Sequence, residues 1–250
     1  MVVFESFQVP PLGCNCSLVG SDDGSAVCVD PGGDVSFILA KLKEHALTLG
    51  KILITHGHLD HILAADELRL ATGAPIVMHQ DDLALWNNVQ AQCRDFGVPP
   101  PAKPLPPVDA HAAHNDVIHV GDALKCRCLH VPGHTAGSVS WLVEGAGVPR
   151  CCVGDTLFEG SVGRTSWQGC QALNNKSNGS QLVASIQTTL FDLPDETYAT
   201  RPASPWGDFK TLEDPAPSQV VCGHGGATTI GREKRSNPVV GAGRRSRGFF

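Results

Sequence analysis

The sequence predicts an α/β protein in which β-sheets are covered by helices on their outer faces. Three observations predict this. Short β-branched runs separated by turn signals fill the first third of the chain, and strand-like and helix-like patterns alternate through the rest. The apolar and charged fractions, 42% and 18%, are those of a chain that packs a core. At 250 residues one sizeable core suffices, so the expected organisation is one domain over 1–250, with an inserted loop at 199–218 and a short basic tail from about 240.

Each element follows from its local pattern. Phe4 to Val9, Cys16 to Val19 and Ala26 to Val29, separated by Pro10-Pro11 and Asp22-Asp23-Gly24, read as a meander of strands. Asp34 suits the N-cap of a helix through about Lys43. Lys51 to Thr55 reads as a buried strand, running straight into His56-Gly57-His58-Leu59-Asp60-His61 and a helix whose apolar period holds Leu59, Ile62, Leu63 and Leu70. A strand at Pro75 to Met78 and a helix from about Asp81 to Phe96 come next, then strands near Leu124 to Val131, Ser138 to Val143 and Arg150 to Gly154. A later helix carries Leu182, Val183, Ile186 and Leu190, and a strand at Gln219 to Cys222 precedes a helix near Ile230 to Ser236. The proline-rich residues 97–107, the polar residues 170–180 and Ala199 to Ser218 read as loops.

Charge and composition narrow the function classes. A net charge of −6 gives no general attraction to phosphate backbones or anionic lipid, so neither a nucleic-acid nor a membrane partner is expected. Six basic residues from Arg232 onward face only Glu233 and read as solvated charge. No run approaches the roughly 20 apolar residues that span a bilayer, and the start lacks the pattern of a signal peptide. The ten cysteines form no CxxC; Cys14, Cys16, Cys126, Cys128, Cys151 and Cys152, in CxC or CC pairs on strand-like segments, read as small buried hydrophobes, and a reducing cytoplasm is expected.

Four clusters carry metal-binding chemistry, and each follows a predicted strand. His56, His58, Asp60 and His61 pack three imidazoles and a carboxylate into six residues. His134 lies in Pro132-Gly133-His134-Thr135, Asp155 in Gly154-Asp155-Thr156, and His224 in Gly223-His224-Gly225. Singly, each of the last three reads as a capping or core residue. Together, imidazole and carboxylate donors on fixed strand ends point to a metal site with open positions for water or substrate.

The order TxHxHxDH, PGHTxGS, GDTLF and GHG resembles the metallo-β-lactamase superfamily. Pro11-Leu12-Gly13-Cys14-Asn15-Cys16, Asp30-Pro31-Gly32-Gly33, the segment through Gly163-Arg164-Thr165, and Thr228-Thr229-Ile230-Gly231-Arg232-Glu233 through Asn237-Pro238 are similar to the short glyoxalase II-like hydrolases. The resemblance implies an αββα sandwich of two mixed sheets with two divalent metals at one edge. It gives His56, His58 and His134 to the first metal, Asp60, His61 and His224 to the second, and makes Asp155 the bridge. Zinc suits such ligands, as do iron and manganese. The implied reaction is hydrolysis of a thioester such as S-D-lactoylglutathione, or a related thiol conjugate, by a metal-bound hydroxide that Asp60 helps to orient. Arg164 is the candidate contact for a substrate carboxylate. With the match ending near Asn237-Pro238, the resemblance is to the short form, which is expected to be without the helical C-terminal domain with which full-length glyoxalase II binds glutathione.

Two other readings use the same residues. A persulfide dioxygenase shares the fold and a Gly-Arg-Thr segment, and would hold one iron on His56, His134 and Asp155. A catalytically silent scaffold would keep the fold alone, against which stand seven intact ligand positions. Lactonase and β-lactamase activities are lesser alternatives, since fold does not choose substrate. His111, His114, His119 and His130 read as structural or solvated, with His130, four residues before His134, also a candidate to support it.

Overall fold

A computed structural model describes residues 2–147, 149–166, 177–195 and 220–242. The expected loop at 199–218 and nearly all of the basic tail lie outside the described residues.

The first three β-branched runs pair as an antiparallel meander of β1 (Val3–Val9), β2 (Cys14–Gly20) and β3 (Ser25–Val29). Asp34 caps α1 (Val35–Glu44), its carboxylate accepting from the Phe37 N–H as expected. Then β4 (Thr48–Leu53) adds in parallel to β3. The helix anticipated from Leu59 through Leu70 is two helices, α2 (Leu59–Ile62) and α3 (Ala65–Thr72). Its period breaks because the Ala64 N–H bonds the Pro31 carbonyl at 3.0 Å, a partner outside its own helix. After that break Ala65 and Leu68 face the core, and Leu70, expected in the apolar stripe, is 71% exposed.

Strand β5 (Ile76–Met78) continues the parallel run. The helix anticipated over Asp81 to Phe96 is a 3₁₀ turn, Gln80–Asp82, followed by α4 (Leu83–Asn87) and α5 (Val89–Phe96), which meet at Asn88. The two-residue β6 (Ala110–His111) closes the first sheet, giving the order β1-β2-β3-β4-β5-β6.

The second sheet is built from β7 (Val117–Val120), β8 (Leu124–His130), β9 (Val139–Glu144) and β10 (Arg150–Gly154). A hairpin of β11 (Leu157–Phe158) and β12 (Ser161–Val162) follows, then α6 (Gly179–Ser185) running into a π-turn at Ile186–Leu190. Strand β13 (Val220–Cys222) pairs in parallel with β10, giving the order β13-β10-β9-β8-β7, and α7 (Ile230–Ser236) ends the regular structure among the described residues. β6, β7 and the β11–β12 hairpin have no counterpart in the sequence reading. They are short, and β6 and β7 are largely exposed, so they lack the buried alternation that announces a strand.

Side-chain alternation creates the layers. In the first sheet Val19, Val27, Val29, Leu53 and Val77 join the core shared with the second sheet. Their neighbours Leu18, Ala26, Cys28, Ile52, Ile76 and Met78 pack instead with Ile38, Leu42, Leu59, Leu68, Trp86 and Val89 of the outer helices. On the second sheet Leu182, Ile186, Leu190 and Ile230 cover the other flank. The result is the expected αββα sandwich. Trp141, fully buried, ties the two sheets together where the site begins, since its indole N–H donates to the Ile54 carbonyl at 3.0 Å. Among the described residues no helix is long and apolar enough to cross a membrane.

Candidate metal centre

All four sequence clusters emerge at one edge of the sandwich. His56 to His61 follow β4 and enter α2, His134 lies in the β8–β9 turn, Asp155 follows β10 and His224 follows β13. Hydrogen bonds across the sheets lock these ends together: the Val139 N–H donates to the Thr55 carbonyl at 2.8 Å, and the Gly223 N–H to the Gly154 carbonyl at 2.7 Å. The parallel pairing of β10 and β13 makes Asp155 and His224 leave their strands on the same side.

His56, His58 and His134 form the deeper group, each 3% exposed or less. Nε2 of His134 lies 3.2 Å from Nε2 of His56 and 3.0 Å from Nδ1 of His58, and the latter two nitrogens are 3.0 Å apart. For two of them the far nitrogen fixes the tautomer. The Thr55 hydroxyl gives its hydrogen to Asp30 at 2.6 Å and so accepts from Nδ1 of His56, while Nδ1 of His134 donates to the Arg164 carbonyl at 2.6 Å. Both Nε2 atoms therefore aim lone pairs at each other, an arrangement that repels unless a cation lies between them. Nitrogens this close would let one ion, at a zinc–nitrogen bond length of about 2 Å, be held by all three. Burial, followed by the neighbouring imidazoles, holds His56 well below the usual histidine range. Burial likewise takes His58 down to about 3 and His134 to about 4, so all three stand in the neutral form that binds metal.

Asp60, His61 and His224 form the second group, more open toward His224, whose side chain is 32% exposed. Nε2 of His224 lies 2.9 Å from Oδ2 of Asp60, and Nε2 of His61 lies 3.8 Å from that oxygen. Nδ1 of His61 donates to Oδ2 of Asp30 at 2.9 Å, which turns its Nε2 inward, buried with no hydrogen-bond partner. Burial opposes charge on His61 and on His224, yet Cys14, Asp60 and Asp30 around the first and Asp60 and Asp155 around the second raise both. Burial also opposes the Asp60 anion, but His61 and His224 outweigh it and keep this carboxyl below the usual range.

Asp155 stands between the groups. Its Oδ1 is 3.5 Å from Nε2 of His61 and has no hydrogen-bond partner, while its Oδ2 is 3.8 Å from Nε2 of His134 and 3.9 Å from Nε2 of His224. Burial pushes its carboxyl up. Its Oδ1 thus faces His61 of the second group, and its Oδ2 lies between His134 of the first and His224 of the second. All seven residues are brought together, with His56, His58 and His134 able to hold one divalent ion, Asp60, His61 and His224 another, and Asp155 reaching both.

The chain matches the metallo-beta-lactamase superfamily over residues 9–224. It belongs to that superfamily. It is 32% identical over 232 residues to hydroxyacylglutathione hydrolase GloC of Haemophilus influenzae, covering 90% of this chain and 92% of that one. Among solved structures it is similar to BLEG-1 B3 metallo-beta-lactamase, with a TM-score of 0.74, 30% identity and coverage of 95% and 99%. A di-iron-bound form of TTHA1623 is similar at a TM-score of 0.70, with 30% identity and coverage of 93% and 98%. As a metallo-hydrolase of this superfamily, the chain has the His and Asp clusters that such chemistry requires.

Several supporting residues escaped the sequence reading. Asp30 accepts from the Thr55 N–H at 2.7 Å, the Thr55 hydroxyl and His61, so one carboxylate orients both halves of the centre. Its signal was the Asp-Pro-Gly-Gly motif. Cys14 is buried as expected, but its Sγ also lies 3.4 Å from Nδ1 of His61, and burial pushes its thiol up to about 12. Arg164 is exposed beside the site, and its backbone carbonyl, rather than its side chain, holds His134. His130 stacks its ring on His79 at 4.1 Å, and its Nε2 donates to the Ala136 carbonyl in the turn that carries His134.

Proposed function

We propose that this protein hydrolyses the thioester of a small hydroxyacyl–thiol conjugate, such as S-D-lactoylglutathione or a related compound, to a hydroxy acid and a free thiol. The observation that carries this reading is the match, across nine-tenths of the chain, to a hydroxyacylglutathione hydrolase, joined to seven ligand side chains converging at one sheet edge.

In this reading His56, His58 and His134 hold one divalent ion, Asp60, His61 and His224 the other, and Asp155 bridges. The donors are imidazole and carboxylate, which suit zinc; iron suits them too, and the di-iron form of a similar structure keeps iron in view. Bound ions of this kind supply Lewis acidity, lowering the pKa of water to about 7 and stabilising charge that builds on an acyl oxygen.

The chain's own residues do the rest. Asp60, paired with His224 and buried to 6% exposure, stays ionised beside the second position and orients the incoming water. Asp30 and the Arg164 carbonyl hold the imidazoles in the tautomer that leaves Nε2 inward. A thiolate leaving group needs little acid assistance, so no separate proton donor is required on the far side of the bond. Arg164, on the exposed rim, attracts a carboxylate of the conjugate.

The test is metal-reconstituted full-length protein assayed against thioester, persulfide and lactone substrates, with metal content measured on the same sample. The reading expects about two ions per chain and turnover of the thioester. Oxygen uptake with glutathione persulfide at one iron per chain, without thioester hydrolysis, would replace it with the dioxygenase.

A further inference from the structure

Residues 58 and 134 stand 76 positions apart in the chain, yet the loops that carry them end on one buried carboxylate. Asp82 closes the 3₁₀ turn before α4 and is 0% exposed. Its Oδ2 accepts from the Gly57 N–H at 2.9 Å and from the Thr135 hydroxyl at 2.7 Å, and its Oδ1 accepts from the Gly137 N–H at 2.7 Å. Gly57 separates His56 from His58, and Thr135 directly follows His134. The grip on the first loop has a second half, since fully buried Gln92 of α5 donates to the Gly57 carbonyl and accepts from the Leu59 N–H, both at 3.0 Å. Three successive peptide groups around His58 therefore end on two buried side chains.

Steric evidence points the same way. A Cβ placed on Gly57 would lie 2.7 Å from Cβ of Leu85 and 3.0 Å from the Asp82 carbonyl oxygen. One placed on Gly137 would lie 2.6 Å from the Asp82 backbone nitrogen and 2.7 Å from its Cγ. Both loops wrap Asp82 so closely that neither has room for a side chain where it passes.

We propose that Asp82 is a positioning residue for the three-histidine group: by holding the Gly57 and Thr135–Gly137 backbones on one carboxylate, it sets the spacing of His58 and His134 and hence the affinity of the first metal position. Asp82 touches neither the ion nor the substrate in this role. The inference rests on the two-metal reading above.

The test uses Asp82→Asn. Gly57 and Thr135 donate on one side of the carboxyl and Gly137 on the other, so either orientation of the amide sets an NH₂ against a donor. A His224→Ala background removes one ligand of the second position, so that tight binding reports the three histidines. Metal-free full-length His224→Ala and His224→Ala/Asp82→Asn are titrated with Zn²⁺ in competition with a chelator, and with Co²⁺ while the visible spectrum is followed. The expected result is at least a tenfold weaker Zn²⁺ affinity with Asp82→Asn, with a changed Co²⁺ spectrum. Affinity within twofold and an unchanged spectrum, even with lower urea stability of the metal-free protein, would make Asp82 a structural residue only and overturn the proposal. If Asp82→Asn does not fold, Thr135→Val removes one arm of the clamp and should weaken Zn²⁺ at least threefold; equal affinity there overturns the proposal too. Failure of the two-metal reading is distinct, because the parent protein, with His224 intact, would then saturate at one Zn²⁺ rather than two, whatever Asp82→Asn does to the affinity.

Discussion

Nδ1 of His61 lies 2.9 Å from Oδ2 of Asp30, and that contact decides which nitrogen His61 turns toward Asp60 and Asp155. The same carboxylate takes the Thr55 N–H and hydroxyl, one residue before His56. Asp30→Ala should strand these donors in a buried setting, at about 1–3 kcal/mol for each unsatisfied group. The expected outcome is a loss of about 3 kcal/mol or more in urea denaturation of the metal-free protein, together with reduced binding of the second ion. A variant of unchanged stability would show that water replaces the carboxylate.

Asp60 separates hydrolysis at two metals from oxygen chemistry at one. Asp60→Ala should lower occupancy of the second position and cut thioester turnover at least about 100-fold, two factors of roughly 1.4 kcal/mol in the barrier. Metal content, thioester hydrolysis and oxygen uptake are measured on one preparation. Unchanged hydrolysis with a single ion bound contradicts the proposed mechanism, and retained oxygen uptake at one iron supports the dioxygenase.

Gly133, immediately before His134, has φ +141°, and a Cβ there would lie 2.3 Å from the Leu182 backbone nitrogen. Gly133→Ala must push α6 away or twist the ligand loop, at a cost of about 1–3 kcal/mol. We expect a lower unfolding midpoint and weaker binding of the first ion, read by calorimetry and metal titration. A variant indistinguishable from the parent in both would mean that the loop moves freely.

Burial pushes the thiols of Cys126, Cys128 and Cys151 up to about 12, against 9.0 in an unhindered cysteine. Protonated thiol is thus favoured by the folded state. Below pH 9 both states hold these protons and stability is unaffected; above it the unfolded chain loses them first, and folding weakens until about pH 12. The slope approaches about 1.4 kcal/mol per pH unit for each such group. Urea midpoints should therefore fall from pH 9 to 11, and the fall should flatten when all three are replaced by Ala or Val. An equally steep fall in the triple variant would assign it to other groups.

Nine described cysteines are free and buried, so in a Cys170→Ser background native protein at pH 8 should resist a thiol reagent that consumes nine equivalents in denaturant. Rapid native labelling would show that the β2 and β8 to β10 region opens readily.

How much was legible in the chain depends on the range over which each feature is decided. The strands β1, β3 and β10, the Asp34 cap and the helix Ile230–Ser236 follow from alternation, turn residues and capping within a few positions. The types of the seven candidate ligand residues, and their places at strand ends, were legible for the same reason: a histidine or aspartate just past a buried strand is a local fact. Leu70 and the break at Ala64 were not, because periodicity cannot register that a backbone N–H has found a partner on another element.

What only the tertiary structure decided is convergence. Asp82 reaches Gly57 across 25 residues and Gly137 across 55, Gln92 reaches Leu59 across 33, and Asp30 reaches His61 across 31. In the sequence these are an unremarked turn aspartate, a helix glutamine and part of a loop motif. Their roles arise when packing of the helices and sheets removes water from the ligand loops. Each buried N–H, C=O and hydroxyl there must then find a protein partner, and those partners set which nitrogens meet and how far apart they stand.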